Sequence, residues 1–99
     1  CVRKGSLTLE LSKNKAYVSG TDVDLTVKEV ALLLLLVKNE NRILSPQELY
    51  ETVWGTPSAD DTRTVRFHIR NLKKKIDTEN ADDYDIVSVY AKGYFFTTG

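Results

Sequence analysis

The run Val30–Val37, VALLLLLV, sets the tightest limit on what this chain can become. Eight apolar residues in succession leave no polar face to turn to water. As a helix they reach only ~12 Å, against ~30 Å of bilayer hydrocarbon, so the run reads as a buried core helix and not as a membrane span. A helix that is apolar nearly all round has to be wrapped by other elements. With 99 residues, 41% of them hydrophobic, the chain can form one domain around one core. Its lone Cys1 allows no internal disulfide and is compatible with a reducing cytosol. No signal-peptide pattern, internal repeat or low-complexity linker is visible. Residues 1–6 read as a linker remnant and residues 7–99 as the domain.

The wrapping elements can be read on either side of that run. Leu7, Leu9 and Leu11 alternate with Thr8 and Glu10, the pattern of a half-buried strand. Ser12–Asn14 is a turn, Ala16–Val18 a second strand, Ser19–Gly20 a turn, and Asp22–Leu25 a third strand. Three short antiparallel strands seldom stand alone and need a helix over their greasy face. Thr26 and Glu29 form a capping box that opens the leucine helix, which closes near Asn39. Ser45 and Glu48 form a second box, with Pro46 at the first helical position, for a helix ending at Trp54-Gly55. After the Thr56–Asp60 loop a third helix begins near Asp60 and Asp61, whose charge suits a helix start. The acidic Asn80–Asp85 link, expected to be a solvated loop, leads to Ile86–Tyr90 and Tyr94–Thr97, a β-hairpin around Ala91-Lys92-Gly93.

The third helix carries the chemistry. In DTRTVRFHIRNLKKKID, residues 61–77, Val65, Ile69, Leu72 and Ile76 recur at the spacing of one helical face. Arg63, Arg66, Arg70, Lys73, Lys74 and Lys75 occupy the rest, six cations with no anion between them. Net charge is zero by formal count, so it is the distribution that points to a polyanion. Stepping about 100° per residue from Val65 centres the core stripe near ~10°. Arg63, Phe67, Arg70, Asn71 and Lys74 then fall on the opposite side. Arg66 and Lys73 flank one edge; Thr64, His68 and Lys75 flank the other. Arg can fork to guanine, Asn to adenine, and an apolar edge can meet a thymine methyl. Arg66, Phe67, Arg70 and Asn71 are therefore the expected base-reading set. Arg63, Thr64, His68, Lys73 and Lys74 are expected at phosphates, which position a helix without reading sequence.

Each assignment has a plainer counterpart. The cations could form a solvated face. Phe67 could pack partly buried against the helix–turn–helix or the hairpin. His68 could sit at the helix edge, hydrogen-bonded to backbone; with no second His or a Cys nearby it is no zinc ligand. Trp54 could belong to the core, although its indole N–H can also reach a phosphate oxygen. No Gly-rich phosphate loop, metal-ligand spacing or nucleophile motif is present, so neither an enzyme nor a cofactor is expected.

Strands, three helices and a hairpin in this order describe an α+β winged helix–turn–helix, with an antiparallel sheet of three to four strands at the N-terminus. The sequence resembles the OmpR/PhoB-type winged-helix effector domain of two-component response regulators. The resemblance runs from about Leu7 to Phe96. It rests on Leu25-Thr26-Val27-Lys28-Glu29, Ile43-Leu44-Ser45, Leu49…Val53-Trp54-Gly55, Arg63-Thr64-Val65…His68-Ile69-Arg70…Leu72…Lys74-Lys75-Ile76 and Gly93-Tyr94-Phe95-Phe96. It implies a third helix in the major groove and a wing, here Tyr90, Lys92 and Tyr94, at the minor groove. It also implies that the loop Gly55, Thr56, Pro57, Ser58, Ala59 and Asp60 can meet RNA polymerase. A phosphorylated receiver domain before the chain, tandem half-sites and a dimer on DNA belong to the same expectation. So do a monomeric isolated domain and a cytoplasmic location away from membranes. The family's wing commonly has an Arg at the place of Tyr90 and a Gly at that of Ala91; its third helix often has an Arg at that of Asn71. Two other readings share the fold: a protein-interaction module for an acidic partner, and the DNA-binding domain of a membrane-anchored one-component activator.

Overall fold

The Leu7–Glu10 alternation folds as expected, with Leu7 and Leu9 buried on one face of an antiparallel sheet. The computed structural model describes residues 2–56 and 62–98. Its first sheet has four strands in chain order: β1 (Val2–Lys4), β2 (Leu7–Glu10), β3 (Lys15–Val18) and β4 (Thr21–Asp22). Leu9 stands opposite the fully buried Ala16.

Strand β1 corrects the reading of residues 1–6 as a linker, because Val2–Lys4 pairs with β2 throughout its length. Three residues are too few for an alternation to register, and two cations in three suit an edge strand. Lys4 Nζ meets Glu40 at 2.8 Å and ties that edge to the end of the leucine helix. The expected strand Asp22–Leu25 shrinks to β4. Asp24 has φ +55 and its N–H donates to Asp22 Oδ1 at 2.8 Å, an Asx turn that ends the extended run. Leu11 leaves the strand for a single 3₁₀ turn, Leu11–Lys13.

Helix α1 (Val27–Lys38) has the full reciprocal capping box: Glu29 N donates to Thr26 Oγ1 at 3.2 Å and Thr26 N to Glu29 Oε1 at 2.9 Å. Val30, Leu32, Leu33, Leu36 and Val37 are buried. Each contributes about 1.5–3 kcal/mol by leaving water, so together the five outweigh a cap of about 1 kcal/mol. Helix α2 (Pro46–Trp54) is capped by Ser45, which accepts from Glu48 N at 3.0 Å. Here the box is one-sided, since the Glu48 carboxylate turns to Arg42 at 3.4 Å. Helix α3 (Arg63–Lys75) buries Val65, Ile69 and Leu72. Its described start has Thr62 as N-cap, without a side-chain cap bond. The expected start at Asp60 and Asp61 lies outside the described residues. All three helices meet, and α1 also packs on the hairpin.

The hairpin β5 (Asp85–Val89) and β6 (Gly93–Thr97) pairs Ile86 with Phe96, both fully buried. It is moored to the segment before α2. Leu44 N donates to the Tyr94 carbonyl at 2.8 Å and Tyr94 N to the Leu44 carbonyl at 3.0 Å. Gly93 makes this approach feasible: a Cβ there would lie 2.0 Å from the Leu44 oxygen. The acidic link is more structured than a solvated loop. Asp83 accepts from Ser6 N at 2.7 Å, and the buried Tyr84 donates its hydroxyl proton to the Ile76 carbonyl. The architecture is a winged helix–turn–helix, with α1 at the centre. No helix among the described residues is long and apolar enough to cross a membrane.

Candidate nucleic-acid interface

The apolar stripe of α3 turns into the core, and this fixes what the rest of the helix presents. Arg63, Arg66, Phe67, Arg70 and Lys74 are exposed; Thr64, His68, Asn71 and Lys73 are half-buried at its edges. Phe67, 63% exposed, does not pack under the hairpin, which removes its buried reading. Among the described residues no carboxylate pairs with Arg63, Arg66, Arg70, Lys73 or Lys74. Lys75 differs. Its Nζ meets Glu29 Oε1 at 2.7 Å, so this cation serves the fold and leaves five for a ligand.

Trp54 is the joint of the helix–turn–helix. Its ring stacks on Tyr50 at 5.0 Å and packs edge-on against His68 at 5.1 Å. Lys28, from α1, sits 5.4 Å from the Trp54 ring and donates to the Val53 carbonyl at 3.3 Å. Trp54 thus has the packing role weighed against a phosphate contact, while remaining half-buried rather than enclosed. His68 accordingly has the backbone bond weighed for it, at 2.8 Å from the Thr64 carbonyl. Lys28 carried no sequence signal for this place; its partners are 25 and 26 residues away along the chain.

A cleft runs between α3 and the hairpin. It is lined by Arg66, Arg70, Lys73 and Lys74 together with Asp77 and Glu79, from the turn after α3, and Asp85, from β5. The acids were visible as a run in sequence, but only the fold turns some of them toward the cationic helix. At the hairpin tip Tyr90 is 95% exposed. Lys92 N donates to the Val89 carbonyl at 3.0 Å across Ala91, which has φ +61. A positive φ at the third turn position is the type II pattern, which favours Gly. Tyr94 is not at the tip: it is 9% exposed, moored to Leu44, and shows the cleft only an edge. Strand alternation already put it on the face of Phe96. Of the loop residues, Gly55 and Thr56 are exposed; Pro57, Ser58, Ala59 and Asp60 lie outside the described residues.

A winged helix–turn–helix whose cationic helix leaves five of its cations without a carboxylate partner among the described residues is the DNA-binding domain of a transcription regulator. The comparisons give that class its family. The model for "Transcriptional regulatory protein, C terminal" matches residues 20–96, and the chain belongs to this family, in its OmpR/PhoB type. The family is one of regulators and not an enzyme class. The response regulator SaeR of Staphylococcus aureus is 37% identical over 90 residues, covering 91% of this chain and 40% of SaeR. The chain therefore spans about 40% of the length of the curated relatives it matches. Among solved structures, the Klebsiella pneumoniae RstA DNA-binding domain in complex with the RstA box superposes with a TM-score of 0.85 at 26% identity, covering 97% of this chain and 95% of that one. The Thermotoga maritima OmpR/PhoB homologue DrrB gives 0.81 at 29% identity, over 97% of this chain and 43% of that one.

Proposed function

We propose that this domain is the effector half of a phosphorylation-controlled response regulator and reads a specific duplex through α3. The carrying observation is the face of α3: five cations free of described carboxylates surround an exposed Phe67 and a half-buried Asn71. In this reading Arg66, Phe67, Arg70 and Asn71 meet base edges in the major groove. Arg63, Thr64, Lys73 and Lys74 hold phosphates, with His68 and Trp54 at the same rim. Tyr90 and Lys92 place the wing at the minor groove, with Tyr94 as its support. The RstA–RstA box complex supports the choice of duplex DNA as ligand. The relatives' greater length supports a receiver domain elsewhere in the full protein, which would work in the cytoplasm. Tandem half-sites, a dimer on DNA and an RNA polymerase contact through the loop after α2 complete the proposal.

Selection of bound sites from a random DNA pool tests it, with binding of the selected duplex followed against salt. Enrichment of a defined half-site, with affinity falling steeply as salt rises, is the expected result. An unselective pool, or affinity flat in salt, overturns it. No binding at low salt would favour an acidic protein as the partner of the same face.

A further inference from the structure

His68 is the only histidine in the chain and lies at the seam between α2 and α3. Its Nδ1 is 2.8 Å from the Thr64 carbonyl oxygen, one turn back on its own helix. A carbonyl oxygen only accepts, so Nδ1 carries the hydrogen. Edge-to-face packing on Trp54 at 5.1 Å and on Phe67 at 5.7 Å holds the ring in that pose. The consequence falls on Nε2. With Nδ1–H committed, a neutral ring has a lone pair at Nε2, and only the imidazolium has an N–H there. Nε2 makes no hydrogen bond among the described residues and is not among their buried unpartnered atoms, so it is not sealed from solvent. A lone pair facing a phosphate oxygen repels it; an N–H⁺ binds it with a charge-assisted hydrogen bond.

We propose that duplex binding is coupled to protonation of His68, whose imidazolium donates Nε2–H to a phosphate oxygen. This rests on the DNA-binding reading above. Among the described residues the surroundings offer that proton no carboxylate partner. From α2 the ring meets Trp54, with Tyr50 stacked behind it at 5.0 Å. The nearest carboxylate along α2 is Glu51, one turn before Trp54, and Gln47 Nε2 contacts it at 3.3 Å. From α1 the charged group is Lys28, 5.4 Å from the Trp54 ring. On α3 the residues one turn away, Thr64, Val65, Asn71 and Leu72, are uncharged. No carboxylate among the described residues bonds the ring. A phosphate oxygen accepts Nε2–H only from the imidazolium, so the added affinity is present at low pH and is lost as pH rises.

The single imidazole makes the test direct. NMR pH titration of the chain alone, and bound to a random-sequence duplex at low salt, follows one ring. The free protein should show the Nδ1–H tautomer above its titration, and the bound ring should titrate at higher pH. At fixed ionic strength, affinity by fluorescence anisotropy should fall roughly three- to tenfold from about pH 5.5 to about pH 8. His68→Gln, which keeps a neutral donor, should bind with a nearly flat profile. An Nε2–H tautomer in the free protein, or a bound ring that titrates no higher than the free one, overturns the proposal. So does a wild-type slope retained by His68→Gln. Absence of duplex binding overturns the DNA-binding reading as well; binding without proton uptake overturns this inference alone.

Discussion

Lys75 Nζ lies 2.7 Å from Glu29 Oε1, linking the last residue of α3 to the first turn of α1. The same carboxylate oxygen accepts the Thr26 N–H at 2.9 Å, so one atom serves both the cap of α1 and the anchor of α3. Glu29 is 2% exposed, whereas the Lys75 side chain keeps 35% of its surface.

Lys75→Met therefore strands a buried carboxylate. Breaking such a pair costs several kcal/mol when both partners are buried; with the lysine half in water we expect about 2 kcal/mol, read as a lower urea midpoint. Duplex affinity should change less than for Lys74→Ala. The opposite ranking would place Lys75 on the DNA.

Acid should act on the same pair. Burial pushes the Glu29 carboxyl up, but the hydrogen bonds from Lys75 and Thr26 outweigh it and hold it below its ordinary value of 4.5. A depressed carboxylate contributes stability above the unfolded value, and that contribution is lost as pH falls through the folded one. Stability should thus decline below about pH 4.5, and Glu29→Gln should flatten that limb. Urea midpoints collected against pH for both proteins check this.

Gly93→Ala should be among the most damaging single-methyl changes. The new Cβ would sit 2.0 Å from the Leu44 oxygen, at a backbone φ of +148. Backbone has to move, and a loss of about 3 kcal/mol is expected, roughly 12 °C or more in Tm. A melting temperature within a few degrees of wild type would show that the hairpin can leave Leu44 cheaply.

Ala91→Gly should go the other way. Ala91 holds φ +61 at the hairpin turn, a conformation that carries a Cβ penalty of about 1 kcal/mol. Relieving it should raise Tm by about 4–8 °C. Thermal denaturation of the two proteins, side by side, decides it.

On the DNA face, Lys74→Ala should weaken every duplex alike and lower the salt slope by about 1. Asn71→Ala should instead relax the preference at one base pair, by about 1–3 kcal/mol of discrimination. Site selection with each variant tests the division. Reversed behaviour would reassign the two side chains.

The elements were legible because each is marked locally: Thr26 and Glu29 cap within one turn, and Val65, Ile69 and Leu72 repeat on one face. What stayed hidden depends on distant partners. Lys75 looked like the other five cations, since Glu29 lies 46 residues away. Phe67 could not be assigned from spacing alone, because exposure depends on how far the hairpin extends over α3. Val2–Lys4 gave no strand signal: an edge strand of three residues is defined by its neighbour. Tyr94 was readable in principle from alternation with Phe96, and was counted with the wing because it follows the turn.

The Leu44–Tyr94 bridge makes the hairpin part of a lever. Leu44 directly precedes Ser45, the cap of α2, so the hairpin is hydrogen-bonded to the residue from which α2 starts. The far end of α2 is Trp54, which bears on His68. A strain applied at Tyr90 thus has a continuous route, through α2, back to α3.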